Sequence, residues 1–140
     1  RKKLLITSLQ EWKEESVEEL LAPMNIQFER SKRAFKRWTG KNLYLEIKIV
    51  KVANETNMQL LLTKSHLIPP ELLNDANLLI EHYDMWLEKF HKKHKGAKPD
   101  LESPFTFVGP DGYPFPRESE QRFKEKYREY WEELYGKSGM

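Results

Sequence analysis

The chain contains 140 residues, of which 39% are hydrophobic and 33% are charged, and it contains no cysteine. Disulfides, thiolate metal sites and cysteine nucleophiles are therefore excluded. The near balance of 24 Lys+Arg against 22 Asp+Glu gives no overall attraction to nucleic acid or to an anionic membrane. No apolar run approaches the roughly 18 to 20 residues that a membrane-spanning helix needs. The length suits one helical domain, residues 1–140, with a single core.

Two helices are predicted before residue 40. In residues 4–22 apolar positions recur every three or four residues, and Pro23 is expected to end this first helix. Asn25 is the expected N-cap of a second helix that continues to Trp38. The short proline-containing link favours antiparallel packing of the two helices. Their predicted buried faces are formed by Leu5, Leu9, Trp12 and Leu20 in the first helix and by Phe28, Phe35 and Trp38 in the second.

Residues 43–65 fit both a helix and a strand. Apolar residues alternate with other residues from Leu43 to Ile49, which is typical of a half-buried strand. The segment contains no turn signal that would end such a strand. On a helix, one face would carry Leu43, Ile47, Val50, Asn54, Met58 and Leu61. We favour one long helix, in which Asn54 is buried and needs a hydrogen-bond partner.

The clearest helical pattern follows Pro69 and Pro70 and continues to about His94, where basic residues precede Gly96 as they do at helix ends. A last helix is predicted from about Glu118 to Tyr135. The expected buried positions are Leu72, Leu73, Ala76, Leu79, Ile80, Tyr83, Leu87 and Phe90 in the first of these helices, and Phe123, Tyr127, Tyr130, Trp131 and Leu134 in the last.

Residues 96–116, between these two helices, contain five prolines and three glycines. This composition predicts an aromatic loop or a short hairpin rather than a helix. The predicted fold is therefore mainly α, a bundle of four to five helices with this loop or hairpin before the last helix. An α+β fold, with a small sheet formed by residues 43–52 and 104–115, is the alternative.

Basic residues of the second helix are the strongest candidate for a binding surface. Arg30, Arg33 and Arg37 recur at i, i+3 and i+7 with Lys36 beside them, a stripe suited to phosphate contacts. Glutamates crowd the first helix, however, and antiparallel packing would let them neutralise this stripe. Nucleic-acid binding, or a nuclease-associated role, through residues 30–41 is therefore kept as the alternative function.

The second candidate surface is the aromatic loop before the last helix. Its aromatic residues, which flank a glycine- and proline-rich turn, are Phe105, Phe107, Tyr113 and Phe115. Loops with ordered aromatic residues either bind partners or pack on the core, and packing is the simpler explanation here.

The histidines do not predict a metal site or a catalytic site. His91 and His94 share a helical face, but the sequence carries no HExxH pattern and no phosphate-binding glycine motif. We therefore predict no catalytic residue, no metal ligand and no cofactor.

These patterns favour a non-enzymatic helical interaction module that binds a protein partner or a second copy of itself. The absence of cysteine fits a cytoplasmic location. Arg1, Lys2 and Lys3 before Leu4 resemble the cytoplasmic flank of a membrane helix, although an amphipathic helix start explains the same residues. The chain begins with arginine, so we expect the cytosolic part of a longer bacterial protein, and attachment to the membrane through a segment before Arg1 is one form of this hypothesis.

Overall fold

A computed structural model describes residues 2–37, 45–93 and 115–136 of the chain. Within these ranges the structure contains five α-helices and no strand: α1 Lys2–Ser16, α2 Ala22–Arg37, α3 Lys51–Thr63, α4 Leu73–Lys93 and α5 Arg117–Trp131. The predicted mainly α bundle is confirmed. Leu45–Val50 forms a π-helical turn that leads directly into α3, so the strand alternative for this segment is wrong.

Pro23 lies inside a helix rather than at its end. Helices α1 and α2 are joined by a π-helical turn, Val17–Leu21, in which the N–H of Ala22 donates to the carbonyl of Val17. Proline inside a helix costs about 3 kcal/mol, because it removes a hydrogen bond and its ring meets an earlier carbonyl. The looser π turn directly before Pro23 accommodates the ring. The predicted helix end at Pro23 and the predicted N-cap role of Asn25 are therefore wrong.

Packing explains why the helix continues through Pro23. The side chains around the proline are almost completely buried, namely Val17, Leu20, Leu21 and Met24. Each such burial contributes about 1.5 to 3 kcal/mol, so the four together exceed the cost of the proline. The antiparallel arrangement predicted for the two helices is wrong as well, since α1 leads into α2 instead of folding back on it.

The π turn also changes which face of α1 meets the core. A π turn contains one residue more than an α turn, which rotates the preceding helix by roughly 100° relative to the following one. Leu9, predicted to be buried, is accordingly 54% exposed, and Trp12 is half-buried. The indole N–H of Trp12 donates to the backbone carbonyl of His66, at 2.9 Å, which ties α1 to the link between α3 and α4.

A similar shift occurs in α3. Its buried positions are Ala53, Asn57 and Leu61, whereas Asn54, which was predicted to be buried, is half-buried. Inside this regular helix Ala53, Asn57 and Leu61 recur every four residues, which places Asn54 at the side of the buried face rather than at its centre.

Short 3-10 turns, Ser65–Leu67 and Pro70–Leu72, link α3 to α4. The helix predicted after Pro69 and Pro70 is confirmed as α4, although Leu73 in its first turn is exposed rather than buried.

The main core lies where α2, α3, α4 and α5 meet the π turn Val17–Leu21. Its buried members are Val17, Leu20, Leu21, Met24, Phe28, Leu61, Leu67, Ile68, Leu72, Ala76, Leu79, Tyr83, Phe123 and Tyr130. A second cluster, Ala34, Ile49, Val50, Trp86, Leu87 and Phe90, joins the later parts of α2 and α4 to the start of α3. None of the described helices combines the length and the apolar character needed to cross a bilayer.

Candidate functional site

Helices α2 and α5 pack side by side and run in opposite directions. Asn25 of α2 and Trp131 of α5 line one groove, and further along α2 the Nζ of Lys124 lies 2.8 Å from Oε1 of Glu29. Residue numbers thus rise along α2 as they fall along α5. The two helices consequently form one continuous surface.

An ion-pair network occupies the seam between α2 and α5. Lys124 bonds Glu29, and its Nζ also lies 3.8 Å from Oε1 of Glu120. The hydrogen bond from Lys124 lowers the pKa of Glu29, and the nearby charges of Lys32 and Arg33 act in the same direction. Partial burial raises the pKa of Glu120. Lys124 thus forms ion pairs with both carboxylates of the seam.

The exposed side of α2 carries cations that form no ion pair with a described carboxylate. Four of them are exposed and make no ion pair with any described residue: Arg30, Lys32, Arg33 and Lys36. Cations elsewhere are commonly paired, as Lys13 is with Glu133 at 2.7 Å. Three of the four residues predicted as a basic stripe are therefore presented together, while the side chain of Arg37 lies outside the described part.

The neutralisation predicted for this stripe does not occur among the described residues. It required the glutamates of α1 to lie beside α2, and α1 instead continues into α2. Glu29, which could have masked the stripe from within α2, is engaged by Lys124. Arg30, Lys32, Arg33 and Lys36 are therefore exposed without an ion pair to a described residue, although Lys32 and Arg33 lie close enough to Glu29 to help lower its pKa.

Apolar side chains adjoin these cations. Trp131 is 45% exposed and lines a groove of about 270 Å³ together with Asn25 and Tyr127. Ile26 follows Asn25 in α2, lies one turn before Arg30 and is 64% exposed. We define the α2–α5 surface as Ile26, Arg30, Lys32, Arg33, Lys36, Tyr127, Arg128 and Trp131. An exposed tryptophan on a surface that also carries cations without ion pairs to described residues is typical of a recognition surface.

The exposure of Trp131, the main apolar side chain of this surface, was not predicted from the sequence. Trp131 was predicted to be buried with Tyr130, but neighbouring residues on a helix point about 100° apart. Tyr130 is buried against the core, and its ring lies edge-on to that of Trp12 with centroids 6.3 Å apart. Because Tyr130 takes the inward position, Trp131 points towards solvent. The adjacent pair of large aromatic residues was the signal available in the sequence.

Of the four aromatic residues predicted to bind a partner, the structure describes Phe115 alone. Phe115 is half-buried, and its ring packs edge-on against Phe28 and His82, with centroid distances of 6.4 and 5.2 Å. Phe105, Phe107 and Tyr113 lie outside the described residues. Phe115 thus packs on the bundle, and the partner-binding role of the four residues stays a prediction.

Among the described histidines, His82 packs against aromatic rings, and His66 accepts a hydrogen bond from Trp12 through its backbone carbonyl. Partial burial lowers the pKa of His82, whose ring contacts Phe115 and Tyr83. His91 is exposed, and His94 lies outside the described residues. Across the described ranges, no group of three or more His, Asp or Glu residues is placed to hold a metal ion.

Buried polar side chains connect helices. The carboxylate of Asp75, in α4, accepts hydrogen bonds from Ser119 and Arg122 of α5. Asn57 of α3 donates to the hydroxyl oxygen of Tyr83 in α4, at 3.4 Å. These contacts hold α5 and α3 against α4.

No protein-family model matches this chain, and neither a curated protein nor a solved structure is significantly similar to it. Function is therefore inferred from the side chains of the α2–α5 surface.

Proposed function

We propose that this chain is a non-enzymatic interaction module that binds an acidic segment of a protein partner on its α2–α5 surface. One observation carries the proposal: four exposed cations of α2, without ion pairs among the described residues, lie on the same helix as Asn25 and Glu29, which line the groove that contains Trp131. Cations steer an acidic partner and set its register, and a half-exposed tryptophan supplies apolar area once it is covered.

A protein partner suits this surface better than nucleic acid does. The carboxylates of Glu29 and Glu120 lie in the seam, and exposed Glu125 and Glu132 lie on α5 and in the turn that follows it. A phosphate backbone carries one negative charge at every step and would approach these carboxylates at an electrostatic cost. An acidic protein segment places fewer charges and adds apolar side chains that fit the groove. Nucleic-acid binding through Arg30, Arg33, Lys36 and Arg37 is the second candidate function, favoured by the exposed stripe itself.

Binding of two labelled probes tests the proposal. The first probe is an amphipathic peptide with alternating clusters of glutamate and leucine, and the second is single-stranded DNA of similar length. Fluorescence anisotropy is measured at low and at high salt. We expect the peptide to bind, with an affinity that decreases moderately as salt increases, because part of the contact is apolar.

Two variants locate the binding site. Arg30→Gln/Arg33→Gln/Lys36→Gln and Trp131→Ala are each expected to weaken peptide binding by about 10-fold or more, the range of interface hot spots. Leu73→Ala is the matched control for Trp131→Ala because Leu73 is similarly exposed on α4. Lys92→Gln is the control for the cations because it is exposed on α4. Both controls should change the affinity by less than about twofold, as surface changes outside an interface do.

Other outcomes would overturn the proposal. DNA that binds more tightly than the peptide, with a steep salt dependence lost in the triple variant, would establish the nucleic-acid function instead. Peptide binding that neither variant changes would place the binding site elsewhere.

A further inference from the structure

The longest helical unit of the bundle carries opposite charges on its two halves. At the end of α1 and in the first part of the π turn, four glutamates recur at i, i+3, i+4 and i+7, three of them in α1 and the last in the turn: Glu11, Glu14, Glu15 and Glu18. Three are exposed, Glu14 is half-buried, and none makes an ion pair with a described residue. The remaining glutamate of this run, Glu19, pairs with Lys64 at 3.3 Å. We call the four unpaired residues the α1 acidic stripe.

The two charged stripes are too far apart to neutralise each other within one molecule. Glu14 and Arg33 are 19 positions apart on one helical path, which corresponds to about 28 Å at 1.5 Å per residue. The Debye length at physiological ionic strength is about 8 Å, so attraction over this distance is screened. Each stripe is therefore free to attract a partner of opposite charge.

The stripes match each other in number and length. The acidic stripe spans residues 11–18 and the cations of α2 span residues 30–36, so both extend over about 10 Å of helix. Each presents four charges that are unpaired among the described residues. The net charge of the chain is only +2, so two copies meet with little overall repulsion. Charge complementarity between copies thus requires no additional partner.

We propose that the acidic partner of the α2–α5 surface is the α1 acidic stripe of a second copy of this chain. This proposal rests on the proposed function, because it names the partner of that same surface. The two contacting surfaces differ, so the contact is head-to-tail, and the assembly keeps one free acidic stripe at one end and one free set of cations at the other. Such an assembly grows with concentration unless it closes into a ring.

Neutral variants allow a chain-termination experiment. The acid-less variant is Glu11→Gln/Glu14→Gln/Glu15→Gln/Glu18→Gln, and the base-less variant is Arg30→Gln/Lys32→Gln/Arg33→Gln/Lys36→Gln. Glutamine removes charge without creating the opposite charge, so neither variant gains a new partner surface. Sedimentation velocity at low and high salt measures the mass of each protein alone and of their equimolar mixture. Circular dichroism confirms that each variant keeps its helices.

The expected results are specific to a head-to-tail contact. The wild-type protein forms species whose mass increases with concentration at low salt and returns to the monomer mass at high salt. Each variant alone stays monomeric. Their mixture forms a 1:1 dimer and nothing larger, because the acidic stripe of one variant pairs with the cations of the other and both remaining surfaces are neutral.

A matched control uses another acidic stripe of similar spacing, Glu81, Asp84 and Glu88 on the exposed side of α4. The variant Glu81→Gln/Asp84→Asn/Glu88→Gln should associate as the wild-type protein does. Wild-type protein that remains monomeric at low salt, but still binds the acidic peptide, would refute self-association and leave the proposed function standing. If the wild-type protein neither associates with itself nor binds the acidic peptide, both the self-association and the proposed function are refuted. Association that persists in either neutral variant would place the contact elsewhere and also overturn the inference.

Discussion

Removal of the Asp75 carboxylate should uncouple α4 from α5. Asp75 is 3% exposed, and its Oδ1 accepts a hydrogen bond from Oγ of Ser119 at 2.8 Å. Nε of Arg122 donates to both carboxylate oxygens, at 3.1 and 3.0 Å. The perturbation is a double-mutant cycle of Asp75→Ala and Ser119→Ala, because both side chains are buried and their contact is short.

The structure sets the size of each effect. A hydrogen bond to a charged group contributes about 1.5 to 3 kcal/mol, whereas solvent screens the ion pair with exposed Arg122, which therefore adds little. Asp75 also lies in the first turn of α4, where a negative charge adds a few tenths of a kcal/mol. We expect Asp75→Ala to cost about 3 kcal/mol, Ser119→Ala about 2, and the double variant about 3, which is a coupling of about 2 kcal/mol.

Urea unfolding, followed by tryptophan fluorescence, measures these free energies through shifts of the midpoint at constant slope. Asp84→Ala is the matched control because Asp84 is exposed on the same helix, and it should change stability by no more than about 0.5 kcal/mol. Additive effects of Asp75→Ala and Ser119→Ala, or an effect of Asp75→Ala no larger than that of the control, would show that the buried contact does not hold the helices together.

Two further predictions concern buried groups between the helices. Tyr83→Phe leaves the amide of Asn57, which is 2% exposed, without its partner and should cost about 1 to 2 kcal/mol in urea unfolding, whereas Asn57→Leu/Tyr83→Phe should recover most of that loss. A double variant less stable than Tyr83→Phe would contradict this. Because burial lowers the pKa of His82, the unfolded chain binds this proton more readily, and stability should fall as the pH drops below about 6.5. His82→Phe keeps the ring contact with Phe115 and should flatten that part of the stability profile; an unchanged profile would mean that another group causes the slope.

The apolar period predicts most of the helices because it reports burial directly. Helix α4 follows Pro69 and Pro70 as expected, and α5 begins within a residue of the predicted Glu118. The same reasoning is wrong at Pro23, where local propensity and tertiary packing oppose each other. The apolar positions 17, 20, 21, 24 and 28 continue across the proline at helical spacing. The free energy gained by burying these side chains outweighs the cost of a proline inside a helix.

The sequence predicts the positive charge of the candidate site. It does not predict whether those cations form ion pairs in the folded protein. Arg30, Arg33 and Lys36 stand out in the sequence because a helix aligns them. Whether a cation is free depends on which carboxylate the fold places beside it. Glu29 is the nearest candidate within α2, yet Lys124, 95 residues later in the chain, engages it. Such a pairing depends on tertiary structure, so no periodicity within α2 indicates it.

The π turn connects the fold to the proposed function. A helix that ended at Pro23 and folded back would place the glutamates of α1 beside the arginines of α2, and both stripes would be neutralised inside one molecule. The π turn lets the helix continue, so the middles of the two stripes, at Glu14 and Arg33, lie about 28 Å apart along one continuous helical unit. The burial of Leu20, Leu21 and Met24 therefore keeps these opposite charges apart, and separated charges of opposite sign are what a head-to-tail contact between copies requires.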